Sequence, residues 1–219
     1  MSARRRALAD GLGTTLLLAV VVGSGIMGER LSGGNDGLAL LANSLATGFA
    51  LVALIFAFGP RSGAHFNPVV TAALALRKEF PAREVWAYLA AQFAGALLGV
   101  LAAHAMFDLP LLQTGVKARF GLAQWWSEIV ATFGLVFVVL SCDKKSAPFA
   151  VGAYIAAAYW FTASTSFANP AVTLARGLTT TYSGIRPEDA AAFVAAQACG
   201  AALAVAADRF FFDGEKGAR

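Results

Sequence analysis

The chain has 219 residues, 58% hydrophobic and 14% charged, whereas a soluble domain carries about 25% charged residues. That deficit, with long apolar runs, excludes an ordinary soluble domain and marks an all-α membrane protein. The formal net charge of +4 is spread between the apolar runs, so it reads as topology and not as a nucleic-acid surface.

A spanning helix needs roughly 20 mostly apolar residues. Six stretches meet this: 8–28, 38–59, 85–107, 123–142, 148–166 and 190–212. Arg4, Arg5 and Arg6 before the first stretch also suit a secretory signal peptide, but five further stretches and an internal repeat favour a span. Between the second and third stretches, and again between the fifth and sixth, lie segments too short to cross, within 60–80 and 164–187. Each carries an Asn-Pro pair, Asn67-Pro68 and Asn169-Pro170. Asparagine suits an N-cap and proline the first helical turn, so each pair predicts the start of a half-helix. Gly95 and Gly99 on the third stretch, and Gly200 and Ala204 on the sixth, have the small-residue spacing that lets helices approach closely. Trp125 and Trp126 open the fourth stretch, where an interfacial aromatic belt belongs. The segments use most of the chain, which predicts one transmembrane domain over 1–219.

Basic residues orient it. With the N-terminus inside, the inner side holds Arg4, Arg5, Arg6, Arg61, Arg77, Lys78, Arg83, Lys144, Lys145, Arg209, Lys216 and Arg219; the outer side holds Arg30, Lys117, Arg119, Arg176 and Arg186. Twelve against five predicts cytoplasmic termini. Cys142 and Cys199 lie in apolar stretches and read as buried structural thiols. His65 and His104 are too far apart in sequence for a metal-ligand motif. No metal, no cofactor and no nucleophile–base set of an enzyme is expected.

The chain repeats itself. Asp10-Gly-Leu-Gly-Thr14 and Glu128-Ile-Val-Ala-Thr132 open the first and fourth stretches. Ser62-Gly-Ala-His-Phe-Asn-Pro-Val-Val-Thr71 parallels Ser164-Thr-Ser-Phe-Ala-Asn-Pro-Ala-Val-Thr173. Ala91-Gln-Phe-Ala-Gly-Ala96 parallels Ala196-Gln-Ala-Cys-Gly-Ala201. The halves, about 1–107 and 123–212, hold three spans each, so the second copy is inverted. Inverted repeats place a site near the midplane, between the halves. The two half-helix starts then meet head to head, and the irregular chain before each must line a wet cavity.

With two inverted Asn-Pro motifs inside a matching six-span repeat, the chain resembles the aquaporin and aquaglyceroporin superfamily over its whole length. The resemblance implies six transmembrane helices plus two re-entrant half-helices, a homotetramer in a lipid bilayer, and passage of small neutral solutes. It implies a plasma-membrane location, here a bacterial inner membrane. Asn67 and Asn169 would be donors at the pore centre. The carbonyls of Gly63, Ala64 and His65 would be acceptors on the inner side, and those of Thr165, Ser166 and Phe167 on the outer side. Asp10 and Glu128 would hold the loops, Asp10 with a shorter reach than the family's usual glutamate or else serving only as an N-terminal helix charge. Val69 stands in place of the usual alanine.

At the family's spacing the outer filter falls on Thr47, Ala157, Ser166 and Val172. Val172 stands where the family has an arginine, and Arg176 lies one turn further on. This predicts a wide, uncharged filter, similar to that of a bacterial aquaglyceroporin branch associated with arsenic resistance. Glycerol, water and neutral metalloid acids such as arsenite are the expected solutes. An ordinary water or glycerol channel is the alternative; a secondary transporter or an adhesive junction protein is the reading from another class. The filter assignment depends on Ala157 facing the pore, since a turned helix would present Trp160 or Phe161.

Overall fold

The computed structural model describes residues 1–212, so Lys216 and Arg219 of the inner-side charges lie outside the described residues. Eight α-helices run in order: α1 (Ala3–Leu31), α2 (Asp36–Ser62), α3 (Pro68–Leu76), α4 (Val85–Met106), α5 (Leu122–Ser141), α6 (Ala147–Phe161), α7 (Pro170–Arg176) and α8 (Pro187–Phe212). A single 3₁₀ turn, Ala82–Glu84, leads into α4.

Five of these helices are long and apolar enough to cross a membrane. The fifth predicted stretch, 148–166, is helical only as α6, which has 15 residues and a length of about 22 Å. Its C-terminal end is corrected by the chemistry after Phe161. There Thr162 Oγ1 turns back to the Ala158 carbonyl at 2.6 Å, and Ser164 Oγ leaves the helix path to donate to Glu128 at 2.6 Å. Hydroxyl side chains that bond locally or sideways compete with helix continuation.

Caps explain where several helices begin. Asn35 Oδ1 accepts from Leu38 N at the start of α2. Asn67 caps α3 through Val69 N, and Asn169 caps α7 through Ala171 N and Val172 N, with Pro68 and Pro170 at the first helical positions.

The packing is duplicated. α1 packs on α4 and α2, just as α5 packs on α8 and α6. α3 crosses to α8, α7 crosses to α4, and α2 meets α6 across the pseudo-symmetry axis. Close approach depends on small residues. A Cβ at Gly95 would collide with the Gly11 carbonyl of α1, and one at Gly200 with the Ile129 carbonyl of α5. Where α1 begins, Arg6 pairs with Glu84 of the 3₁₀ turn at 2.6 Å. At the foot of α3, Arg77 pairs with buried Asp208 of α8 at 2.8 Å. Cys142 is half-buried and Cys199 exposed, both as free thiols. Cys199 therefore lies on the outer surface of the helix bundle, a correction to its expected burial.

Candidate functional site

The two half-helices meet end to end through their asparagines. Asn67 Nδ2 donates to the Ala168 carbonyl at 2.7 Å, and Asn169 Nδ2 donates to the Phe66 carbonyl at 2.8 Å. Each amide also caps its own helix through Oδ1, to Val69 N and to Ala171 N, both at 3.0 Å. An amide nitrogen has two hydrogens. One of each pair is thus committed to the opposite half, and both asparagines line the same cavity.

Behind the asparagines a carboxylate secures each loop. Asp10 Oδ1 accepts from Ser62 Oγ and His65 N, both at 2.9 Å, while Oδ2 accepts from Phe66 N at 3.0 Å and Gln92 Nε2 at 2.7 Å. Glu128 Oε1 accepts from Ser164 Oγ at 2.6 Å and Phe167 N at 2.9 Å, while Oε2 accepts from Ala168 N at 2.9 Å and Gln197 Nε2 at 2.6 Å. The glutamines also reach Thr71 and Thr173, at 2.9 Å and 2.8 Å. Donor for donor the two networks match. Asp10 reaches its loop despite the shorter side chain, and α1 runs close to that loop at Gly13, where a Cβ would collide with the Phe66 ring. Both acids are fully buried, and neither lines the cavity.

The loops they hold run through left-handed backbone. Ala64 and Phe66 in the first half, and Thr165, Ser166 and Ala168 in the second, have φ between +48° and +59°. Such values are uncommon outside glycine and persist only where surrounding bonds over-determine them. Among the described residues no protein group donates to the carbonyls of Gly63, Ala64, His65, Thr165, Ser166 or Phe167.

One cavity of about 120 Å³ runs between the halves. Gly63, Ala64 and His65 line it on the α3 side; Ser166, Phe167 and Val172 line it on the α7 side. Thr47 of α2 is on its wall, whereas Thr165 is not. Thr165 instead turns its hydroxyl toward Arg119 Nη1 at 3.4 Å.

Two expectations for the filter need correction. Ala157 is exposed on the outside of α6 and does not reach the cavity. The inward face of α6 carries Val151, Ile155 and Tyr159, which share the four-residue spacing of one helix face. Ala157 is two residues from Ile155 and Tyr159, on the opposite side. Tyr159 takes the wall position and its hydroxyl lies 3.3 Å from Thr47 Oγ1. Trp160 and Phe161 are exposed as well, and Trp160 Nε1 is occupied by Ser44 Oγ at 3.0 Å.

The second correction is charge. Arg176 lines the cavity together with Val172, so the lining is not uncharged. The signal was present in sequence: residues 172 and 176 share one helix face, and a helical side chain leans toward the N-terminus, back to the level of Val172. Arg119, from the loop between α4 and α5, joins it. Its Nε donates to the Gly184 carbonyl at 2.9 Å and its Nη1 to the Ser164 carbonyl at 3.0 Å. Lys117 lies nearby with its ammonium 4.5 Å from the centre of the Tyr182 ring. Burial of that ammonium, then the fields of Arg119 and Arg176, pull it below the ordinary lysine range.

Comparisons with known proteins agree with this architecture. The profile of the Major intrinsic protein family matches residues 1–158. The chain is 54% identical to aquaglyceroporin AqpS of Rhizobium meliloti over 209 residues, 94% of this chain and 89% of that protein. It is 32% identical to aquaporin NIP2-1 of Zea mays over 83% of this chain and 64% of that longer protein. The crystal structure of the aquaglyceroporin from Plasmodium falciparum superposes with a TM-score of 0.75 over 97% of each chain, at 18% identity, a likeness of fold. The chain belongs to the major intrinsic protein family.

Proposed function

We propose that the chain is a passive transmembrane channel for small neutral solutes, with glycerol, water and metalloid acids such as arsenite as candidates. The observation that carries it is the pair of asparagine amides, each with one N–H committed across the midline and one left for the cavity. Undonated loop carbonyls on both sides supply acceptors. A polar solute shedding its water needs donors and acceptors in such a file. The half-helix N-termini add roughly half a positive charge each, which opposes cations.

The filter of this reading is Thr47, Tyr159, Ser166 and Val172, with Tyr159 in place of Ala157. The similarity to an aquaglyceroporin favours glycerol among the solutes. An ordinary water channel is the second reading, and Tyr159 and Arg176 on the wall favour it by narrowing the cavity. We place the termini in the cytoplasm on the distribution of basic residues. A homotetramer in a bacterial inner membrane follows the family habit.

Stopped-flow light scattering on proteoliposomes, with water, glycerol and arsenite compared side by side, tests the proposal. Glycerol and arsenite fluxes well above those of empty vesicles are expected. Water flux without glycerol flux would select the second reading, and no flux of any kind would overturn both. The asparagine role has its own test in Asn169→Asp. Aspartate caps a helix as well as asparagine, but its carboxylate would face the Phe66 carbonyl and add negative charge at the midline. Weakened cation exclusion and a stability loss of about 1–3 kcal/mol are expected. Unchanged ion exclusion would remove Asn169 from the pore centre.

A further inference from the structure

We propose that Arg176 is the fixed cation of the outer constriction, displaced by one helical turn from the position that Val172 occupies, and that Arg119 is its positioning residue. The inference rests on the channel reading above and deepens it by naming a residue that sets selectivity.

Four observations carry it. Arg176 is 2% exposed to solvent, yet it lines the cavity. Its guanidinium carbon lies 3.4 Å from the centre of the Phe167 ring, a cation–π contact that fixes the plane of the group. Its Nε donates to the Ser183 carbonyl, and among the described residues no protein acceptor takes Nη1 or Nη2. Those two nitrogens are not among the buried polar atoms that lack partners, so they are open to the cavity. Finally, no carboxylate forms an ion pair with Arg176 among the described residues.

Arg119 completes the arrangement without itself lining the cavity. Its guanidinium carbon is 4.8 Å from the centre of the same Phe167 ring. Its backbone N–H is held by Asp189 Oδ2 at 2.8 Å. Phe167 is braced from behind by Phe193, with ring centres 5.3 Å apart. Two like charges sharing one ring repel, so Arg119 limits how far Arg176 can withdraw from the cavity. The outcome is a planar, charged donor on the same cavity wall as the Thr47–Tyr159 hydroxyl pair. Its open N–H groups suit the oxygens of a neutral polyol or oxyacid, and its charge disfavours cations.

The test uses proteoliposomes of the full chain, with water flux, glycerol flux and Na⁺ and proton leak measured on the same preparation. Arg176→Leu should raise cation leak relative to water flux on the order of tenfold or more, as expected for loss of a unit charge within a few ångströms of the path. The ratio of glycerol to water flux should shift severalfold. Arg176→Lys keeps the charge but not the planar fork; its leak should stay native while its glycerol flux falls. Arg119→Gln should move the leak in the direction of Arg176→Leu, to a smaller degree. If Arg176→Leu does not assemble, Arg176→Gln decides the same point, because it retains a side-chain donor for Ser183 while removing the charge together with the two terminal nitrogens. A charge-free variant that conducts water with native leak and a native glycerol ratio would overturn the inference. Such a result leaves the channel reading standing, whereas absence of flux in the native protein would remove that reading first.

Discussion

Asp10 and Glu128 show how a buried charge is made tolerable. A carboxylate inside a membrane protein is costly unless it is paired or fully hydrogen-bonded. Here each acid receives four donors, two of them backbone N–H groups of a loop that folds through left-handed backbone. The acids act as staples for the loop carbonyls and asparagines. Replacing either by its amide turns one acceptor oxygen into a donor that faces other donors. Asp10→Asn and Glu128→Gln should each destabilise the protein by about 1–3 kcal/mol or more, measured by thermal unfolding in detergent. The duplicated networks predict losses of similar size at the two sites. A neutral Asp10→Asn beside a damaging Glu128→Gln would show that the first half holds its loop by other means.

At the scale of elements, existence was easier to read than rotation. Six apolar runs and two Asn-Pro starts place α1 to α8 with shifts of a few residues, because span length and N-cap chemistry are one-dimensional signals. Which face of α6 looks inward is a different matter. Lipid is as apolar as the protein interior, so Ala153, Ala157 and Trp160 outside differ little in character from Val151, Ile155 and Tyr159 inside. Placing the filter position at the family's spacing, on Ala157, then selects the wrong face. The repeat marked the central asparagines and Glu128, whereas Asp10 was left open between a loop anchor and an N-terminal helix charge, because the sequence does not give the distance from α1 to the loop. For Arg176 the helix spacing gave the face, but the Phe167 ring that holds its guanidinium is a tertiary contact that no spacing marks. The rotation of α6 can be checked directly. Tyr159→Ala should widen the constriction and raise glycerol flux relative to water. Ala157→Leu should leave both fluxes within about twofold of native, as surface substitutions of this kind alter stability by under ~0.5 kcal/mol. Opposite behaviour of the two variants in a vesicle assay would return Ala157 to the filter.

At the scale of the whole molecule, the inverted repeat makes a claim about sides. Ala64 and Ser166 occupy equivalent places in the two loops, both on the cavity wall, one on the α3 side and one on the α7 side of the asparagine pair. The native thiols, Cys142 and Cys199, are absent from that wall. Mercurials should therefore leave the native channel conducting, while Ser166→Cys and Ala64→Cys should each become sensitive, with recovery on adding a reducing thiol. A membrane-impermeant, charged thiol reagent then reads the orientation. Stopped by the central constriction, it should block Ser166→Cys from the outer face only and Ala64→Cys from the inner face only, if the termini are cytoplasmic. Reversed sidedness in both variants would invert the orientation drawn from twelve basic residues against five. Block of both variants from one face would contradict a midline barrier between the loops. Inhibition of the native channel, abolished by Cys199→Ser, would show that the exposed face of α8 controls the passage from outside the cavity.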